Sequence, residues 1–264
     1  MFNIREMFSS SLLVGGLIFI TQGFTDSLVK TEKIPTDTTV TQVLLQENLK
    51  KAFICGGALF HPNYVITATK CVFTYRLDPR RLKVFLTSAY DEKYSYTITE
   101  IIIHPEYLPK LEWFDIALIK LSSPILEHSG KIYGIMPTPD EHIKNERPVT
   151  VFSFGRGTVF NRVNLLHNKL NIVGQKICNS EYERFGCHIT EVYVCARNTS
   201  LGSCVGSAGF PLVDTRNRII GIATFPFICG PLLKSGLPTV YSRVSTYLFW
   251  INQTVSGSLT TSKN

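Results

Sequence analysis

Chemistry in this chain has to come from a few distinctive segments. The most distinctive is Gly202–Val213, which reads GSCVGSAGFPLV: glycine-rich, with one cysteine, and running into the apolar Pro211-Leu212-Val213. A second is the basic run of Arg76, then Arg80-Arg81 and Lys83. Two bases, a gap and a third base suit a sulfated glycan or another anionic surface, although a solvated loop entering a strand accounts for the same residues. The histidines, His61, His104, His128, His142, His167 and His188, show no metal-ligand spacing, and Asp91-Glu92 alone does not define a calcium loop. No metal and no other cofactor is expected. Asn198-Thr199-Ser200 and Asn252-Gln253-Thr254 are acceptor sequons for N-glycosylation on a secretory route.

These segments need a scaffold. The chain has 264 residues, enough for one large all-β domain or two small ones, and its 44% apolar content is that of a globular protein. The net charge of +7 admits an anionic partner, whether a membrane surface, a sulfated glycan or an acidic protein. Nucleic acid is not among the expected partners. The start has one arginine, Arg5, and then an apolar run over roughly Met7–Ile20, too short to span a bilayer comfortably. Residues 1–23 read as a signal peptide, with an uncleaved anchor as the alternative. Residues 24–42 read as a polar lead-in, 43–255 as the folded domain and 256–264 as a polar tail. No later stretch reads as a transmembrane anchor, so the expected location is extracellular. The seven cysteines then imply disulfides with one cysteine left over.

Within 43–255, short β-type runs recur between turn signals: Tyr64–Ala68, Leu82–Leu86, Tyr96–Ile103, Ile116–Leu121, Val149–Phe154 and Ile219–Phe225. This pattern predicts a barrel or sandwich. Helical periodicity shows only near the end, where Val244, Tyr247, Leu248, Ile251 and Val255 fall at spacings of three and four.

Four segments, in order, resemble the trypsin/chymotrypsin serine protease family. Cys55-Gly56-Gly57-Ala58-Leu59 with Thr67-Ala68-Thr69-Lys70-Cys71 is similar to the family's Cys-Gly-Gly-Ser-Leu and Thr-Ala-Ala-His-Cys. His104-Pro105 and Phe114-Asp115-Ile116-Ala117-Leu118-Ile119-Lys120-Leu121 resemble its His-Pro and Asn-Asp-Ile-Ala-Leu-Leu-Lys-Leu. Gly206-Ser207-Ala208-Gly209-Phe210-Pro211 stands against Gly-Asp-Ser-Gly-Gly-Pro, and Val240-Tyr241-Ser242-Arg243-Val244 to Trp250-Ile251 matches the family's last strand and helix. The resemblance covers about Val43 to Val255. It implies an all-β fold of two packed six-stranded antiparallel barrels with a C-terminal helix.

The chemistry the resemblance implies is incomplete. A protease of this type needs a hydroxyl nucleophile, an imidazole to take its proton and a carboxylate to orient the imidazole. Asp115 stands at the carboxylate position, but Lys70 is at the imidazole position and Ala208 at the nucleophile position. A lysine with an ordinary pKa of about 10.4 is protonated at neutral pH and accepts no proton. Ala208 has no proton to give. No triad hydrolysis is expected, and Asp115 is expected to pair with Lys70 instead. A residual hydrolase using Ser207 and Lys70 is the remaining catalytic alternative, but Ser207 matches an Asp whose side chain points away from the cleft. That Asp would receive the amine of an Ile-Val-Gly-Gly terminus, and the nearest candidate here is Lys33-Ile34-Pro35. The substrate side is altered too. Thr224-Phe225-Pro226 replaces Ser-Trp-Gly, and Pro226 has no N–H for an extended substrate. Thr239 replaces a pocket-wall glycine, and Gly202 stands at the pocket base.

The resemblance also implies the disulfides Cys55–Cys71, Cys178–Cys195 and Cys204–Cys229. Cys187 is then unpaired, as a buried thiol, an intermolecular bridge that would make an oligomer, or an alternative partner for Cys195. A bridge common in vertebrate members would join the positions of Val149 and Asp214, where both cysteines are absent. Inactive homologues of the family act as cofactors, decoys or adaptors in extracellular cascades and in immune or reproductive secretions. The expected function is therefore non-catalytic binding of extracellular protein, with sulfated-glycan or anionic-surface binding as the alternative.

Overall fold

Twelve short strands close into two antiparallel barrels. The computed structural model describes residues 42–87, 95–111, 113–126, 133–139, 143–154, 165–198, 208–224 and 237–261, all within a unit spanning Thr31–Asn264. The first barrel uses β1 (Gln42–Glu47), β2 (Ala52–His61), β3 (Tyr64–Thr67), β4 (Leu82–Leu86), β5 (Ser95–Ile103) and β6 (Ala117–Leu121), in the closed order β1-β2-β3-β6-β5-β4. The second uses β7 (Pro148–Phe154), β8 (Leu165–Val173), β9 (Tyr193–Arg197), β10 (Pro211–Asp214), β11 (Ile219–Ala223) and β12 (Thr239–Arg243), in the order β10-β11-β12-β9-β8-β7. Closure leaves no open sheet edge in either barrel. The strands are rich in Val, Ile, Leu and Phe because each is buried on its inner face and many are covered outside as well.

One apolar core fills the first barrel and runs on into the interface between the barrels, taking in Phe152, Phe210, Val213 and Ile222 from the second. Tyr247, Leu248 and Ile251 of the chain end join the same core. A separate cluster, including Val151, Leu170, Ile220 and Tyr241, fills the second barrel. The sequence's helical stripe becomes a 3-10 turn, Val244–Tyr247, followed by a C-terminal helix, Leu248–Thr261. That helix enters the region expected as a polar tail. Ser256 and Gly257 are exposed, so the apolar stripe stops at Val255 while the backbone hydrogen bonding continues.

Among the described residues two α-helices precede it. The single turn α1 (Thr69–Val72) follows β3, and α2 (Gln175–Glu183) links β8 to β9. The sequence pattern does not reveal α2. Only Cys178 and Tyr182 of that helix are buried, so there is no apolar stripe to read. The disulfide Cys178–Cys195 ties it to β9, and Tyr182 donates from its hydroxyl to Pro238 O (2.6 Å) just before β12. Cys55–Cys71 ties β2 to α1. These bridges close loops with separations of 16 and 17 residues, for which chain entropy gives about 3 kcal/mol each.

Cys187 corrects the expected pairing. It is buried beside Cys178–Cys195 and is itself disulfide-bonded, to a partner outside the described residues. It is not an unpaired thiol and is not available for an intermolecular bridge. Cys204 and Cys229, expected to pair with each other, lie outside the described residues.

The missing bridge between Val149 and Asp214 has a physical replacement. These residues face each other across β7 and β10. The Asp214 carboxylate is fully buried, paired with Arg147 and with Arg218 Nε (2.8 Å). Its Oδ1 also accepts from Arg216 N (2.8 Å) and Arg218 N (2.9 Å), closing the β10–β11 turn.

The cleft between the barrels, a candidate functional site

Phe114 and the start of β6 aim Asp115 into the space between the barrels. Phe114 adopts φ 55°, in the left-handed region, which costs a non-glycine residue about 1–2 kcal/mol. Its ring is held by a stack on His104 (5.5 Å, 11° between planes), which meets Tyr247 and Trp250 edge-on. Burial in this aromatic cage pushes the His104 imidazole below its ordinary 6.5, with Glu106 acting weakly in the other direction.

Asp115 is 0% exposed and is hydrogen-bonded from both barrels. From the first, Lys70 N donates to Oδ1 (2.9 Å), and Lys70 Nζ lies 3.7 Å from Oδ2. Thr69 Oγ1 donates to the adjacent Ile116 O (2.7 Å). From the second, Thr224 Oγ1 donates to Oδ2 (2.5 Å) and Ser242 Oγ donates to Asp115 O (2.9 Å). The short helix α1 makes this geometry: Ala68 is extended, the chain then turns, and the Lys70 N–H of the first turn faces the carboxylate. Lys70 keeps 18% of its side chain exposed, so its ammonium sits at the cleft mouth.

The turn leading into β10 is stitched just as closely. Gly56 N donates to Ala208 O (2.9 Å), Gly209 N to Ala223 O (2.9 Å) and Ala223 N to Phe210 O (2.8 Å). Gly209 has φ +82°, and a Cβ there would fall 2.3 Å from Gly56 O and 2.5 Å from Thr67 Oγ1. Only glycine satisfies that combination of angle and space. The turn that would present a nucleophile is built, but its half-buried side chain at position 208 is a methyl. The described positions thus supply a carboxylate, an ammonium and a methyl. They hold no hydroxyl–imidazole pair, so they cannot deprotonate and deliver a nucleophile by triad chemistry.

The structure redistributes the remaining candidates. Thr224, expected in an altered substrate strand, is buried with its hydroxyl on Asp115. Thr239 is buried at the start of β12. Gly202, Ser207, Phe225 and Pro226 lie outside the described residues, as do residues 1–41. Asn198 is the more constrained sequon, its Nδ2 donating to Lys169 O (3.0 Å), whereas Asn252 is exposed on the C-terminal helix. Arg76, Arg80 and Arg81 are exposed, and Lys83 is half-buried on β4. The hydroxyls of Thr224 and Ser242 as holders of Asp115 escaped the sequence reading, since a threonine after one strand and a serine in the next carry no spacing signal.

The trypsin family model matches residues 29–251. The chain belongs to the trypsin family. Its curated relatives include trypsin of Sarcophaga bullata, 30% identical, with 81% of this chain and 83% of that protein covered. Serine protease 28 of Mus musculus is 29% identical, with 76% and 77% covered. Solved structures of the same fold include the scabies mite inactivated protease paralogues S-I1 (TM-score 0.67, 23% identity, 81% of this chain and 94% of that one) and S-D1 (0.69, 24%, 86% and 96%). Among the described residues no helix is long and apolar enough to cross a membrane.

Proposed function

We propose that this trypsin-family chain is a secreted, non-catalytic homologue that acts by binding another extracellular protein, as a cofactor, decoy or adaptor for active proteases. One observation carries the non-catalytic part: Lys70 Nζ stands 3.7 Å from Asp115 Oδ2, where an imidazole would be needed, and Ala208 fills the nucleophile turn. Loss of nucleophile or base alone costs roughly a millionfold in turnover in a related enzyme, and losing both removes little more. Lys70 Nζ lies 3.7 Å from the fully buried Asp115 carboxylate, which commits its ammonium to that ion pair. This speaks against a Ser207–Lys70 hydrolase. The binding part is supported by the intact scaffold, since loops on a rigid β framework are the usual carriers of recognition. The naming of two structural neighbours as inactivated paralogues is in keeping with the reading.

The test pairs two measurements on the purified chain. Fluorogenic peptides after basic, aromatic and small residues should show no turnover above buffer. Cross-linking in the native secretion should retain a defined protein. Turnover abolished by Lys70→Met would overturn the non-catalytic reading, and recovery of polyanions alone would overturn the protein-partner reading.

A further inference from the structure

Two turns of the first barrel meet, one of them shortly after α1, and carry exposed leucines and cations. The β1–β2 turn is hydrogen-bonded to the 3-10 turn Pro79–Arg81: Asn48 N donates to Arg81 O (2.8 Å) and Asn48 Nδ2 to Arg80 O (2.6 Å). Leu49 stands within the first turn and Leu77 two residues before the second. Leu49 is 82% exposed and Leu77 is 87% exposed. Around them stand Lys50, Lys51, Arg76, Arg80 and Arg81, all exposed. The carboxylates of the two turns are Asp78, which is exposed, and Glu47, which is buried beneath Arg81 (3.5 Å). The cations are held in place: Arg76 lies over the Phe73 ring (4.2 Å) and donates to Phe73 O, and Arg81 lies over Tyr75 (5.2 Å).

Isolated exposed leucines are ordinary on a protein surface. Two of them, in or beside adjacent hydrogen-bonded turns that carry five exposed cations, are a different arrangement. A sulfated glycan would satisfy the cations but offers the leucines nothing apolar to enter. An anionic bilayer satisfies both, because its headgroups attract basic side chains and its acyl boundary takes up apolar ones. We infer that this face docks on anionic phospholipid membranes, with Leu49 and Leu77 entering the headgroup–acyl boundary and the surrounding cations lying on the lipid phosphates and carboxylates. The inference does not rest on the proposed protein partner.

The test is co-sedimentation of the full chain with phosphatidylcholine vesicles, with and without phosphatidylserine, alongside heparin chromatography. The chain should bind only the phosphatidylserine vesicles, and less so as salt rises. Replacing Lys50, Lys51 and Arg80 by Gln should weaken that binding by about 100-fold, at roughly 1 kcal/mol per cation. Arg81 is left in place because its loss would strand the buried Glu47 carboxylate. The double variant Leu49→Ser/Leu77→Ser should weaken vesicle binding by about tenfold or more while leaving heparin retention unchanged. Both leucines are solvent-exposed, so unchanged thermal unfolding is expected and serves as the folding control. Failure to bind phosphatidylserine vesicles would overturn the inference. So would vesicle binding that the leucine variant leaves intact, which would mark the face as a polyanion site only.

Discussion

Asp115 and Asp214 are both fully buried carboxylates, yet they are held in opposite ways. Asp214 receives two arginines and two backbone N–H groups, all from residues 147–218 of the second barrel and its flanks. Asp115 has one lysine at 3.7 Å and otherwise depends on hydroxyl and backbone donors from both barrels. The first arrangement closes the turn between β10 and β11. The second joins the halves of the molecule. A buried carboxylate at a catalytic position therefore has a structural reason to persist after the chemistry around it is gone. Removing it would leave the Thr224 hydroxyl and the Lys70 N–H without their common partner, at the interface filled by the largest core cluster.

The contrast can be broken by mutation. Asp214→Ala leaves two partly buried guanidinium groups facing each other and should cost about 4 kcal/mol, measured by urea unfolding. Asp115→Asn keeps the shape and one acceptor oxygen, and should cost about 2 kcal/mol. If Asp115→Asn proved the more damaging, the ranking of these two networks would be wrong. Gly209→Ala tests the nucleophile turn itself: its Cβ would meet backbone at 2.3 Å, and about 3 kcal/mol or more should be lost despite the missing nucleophile. Lys70→Met should cost only about 1 kcal/mol, since Asp115 keeps its hydroxyl and backbone donors and Lys70 is partly exposed.

The smallest effect is set by pH and belongs to neither carboxylate. Burial lowers the imidazole pKa of His61 and of His104 below the ordinary 6.5. The unfolded chain therefore takes up protons first as pH falls. Stability is complete above the unfolded value and declines as pH drops from about 6.5 through the lower folded values. Replacing His104 by Phe should flatten part of that decline, as read by thermal unfolding across the window. An unchanged slope would remove His104 from the account.

Much of this arrangement could be read from residue order. Strands such as Leu82–Leu86 declare themselves by β-branched and aromatic content, and Asp115 facing Lys70 follows from the positions the two residues occupy in the family pattern. What could not be read depends on three-dimensional neighbours. Helix α2 is nearly all polar outside Cys178 and Tyr182, so its period is invisible. Asp214 looks like an ordinary turn residue until β7 and β10 bring Val149, Arg147 and Arg218 to it. Cys187 is left over by the family resemblance, whereas in the structure it is disulfide-bonded. Leu49 and Leu77 lie in segments far apart in sequence, and only the Asn48 hydrogen bonds to Arg80 and Arg81 put their turns side by side.

The central claim is that the cleft keeps its architecture without its reaction. A serine-directed phosphonate probe tests it most directly, with intact-mass analysis of the purified chain and active trypsin treated in parallel. The account predicts full labelling of trypsin and no added mass on this chain. A stoichiometric adduct mapped to Ser207 would contradict it.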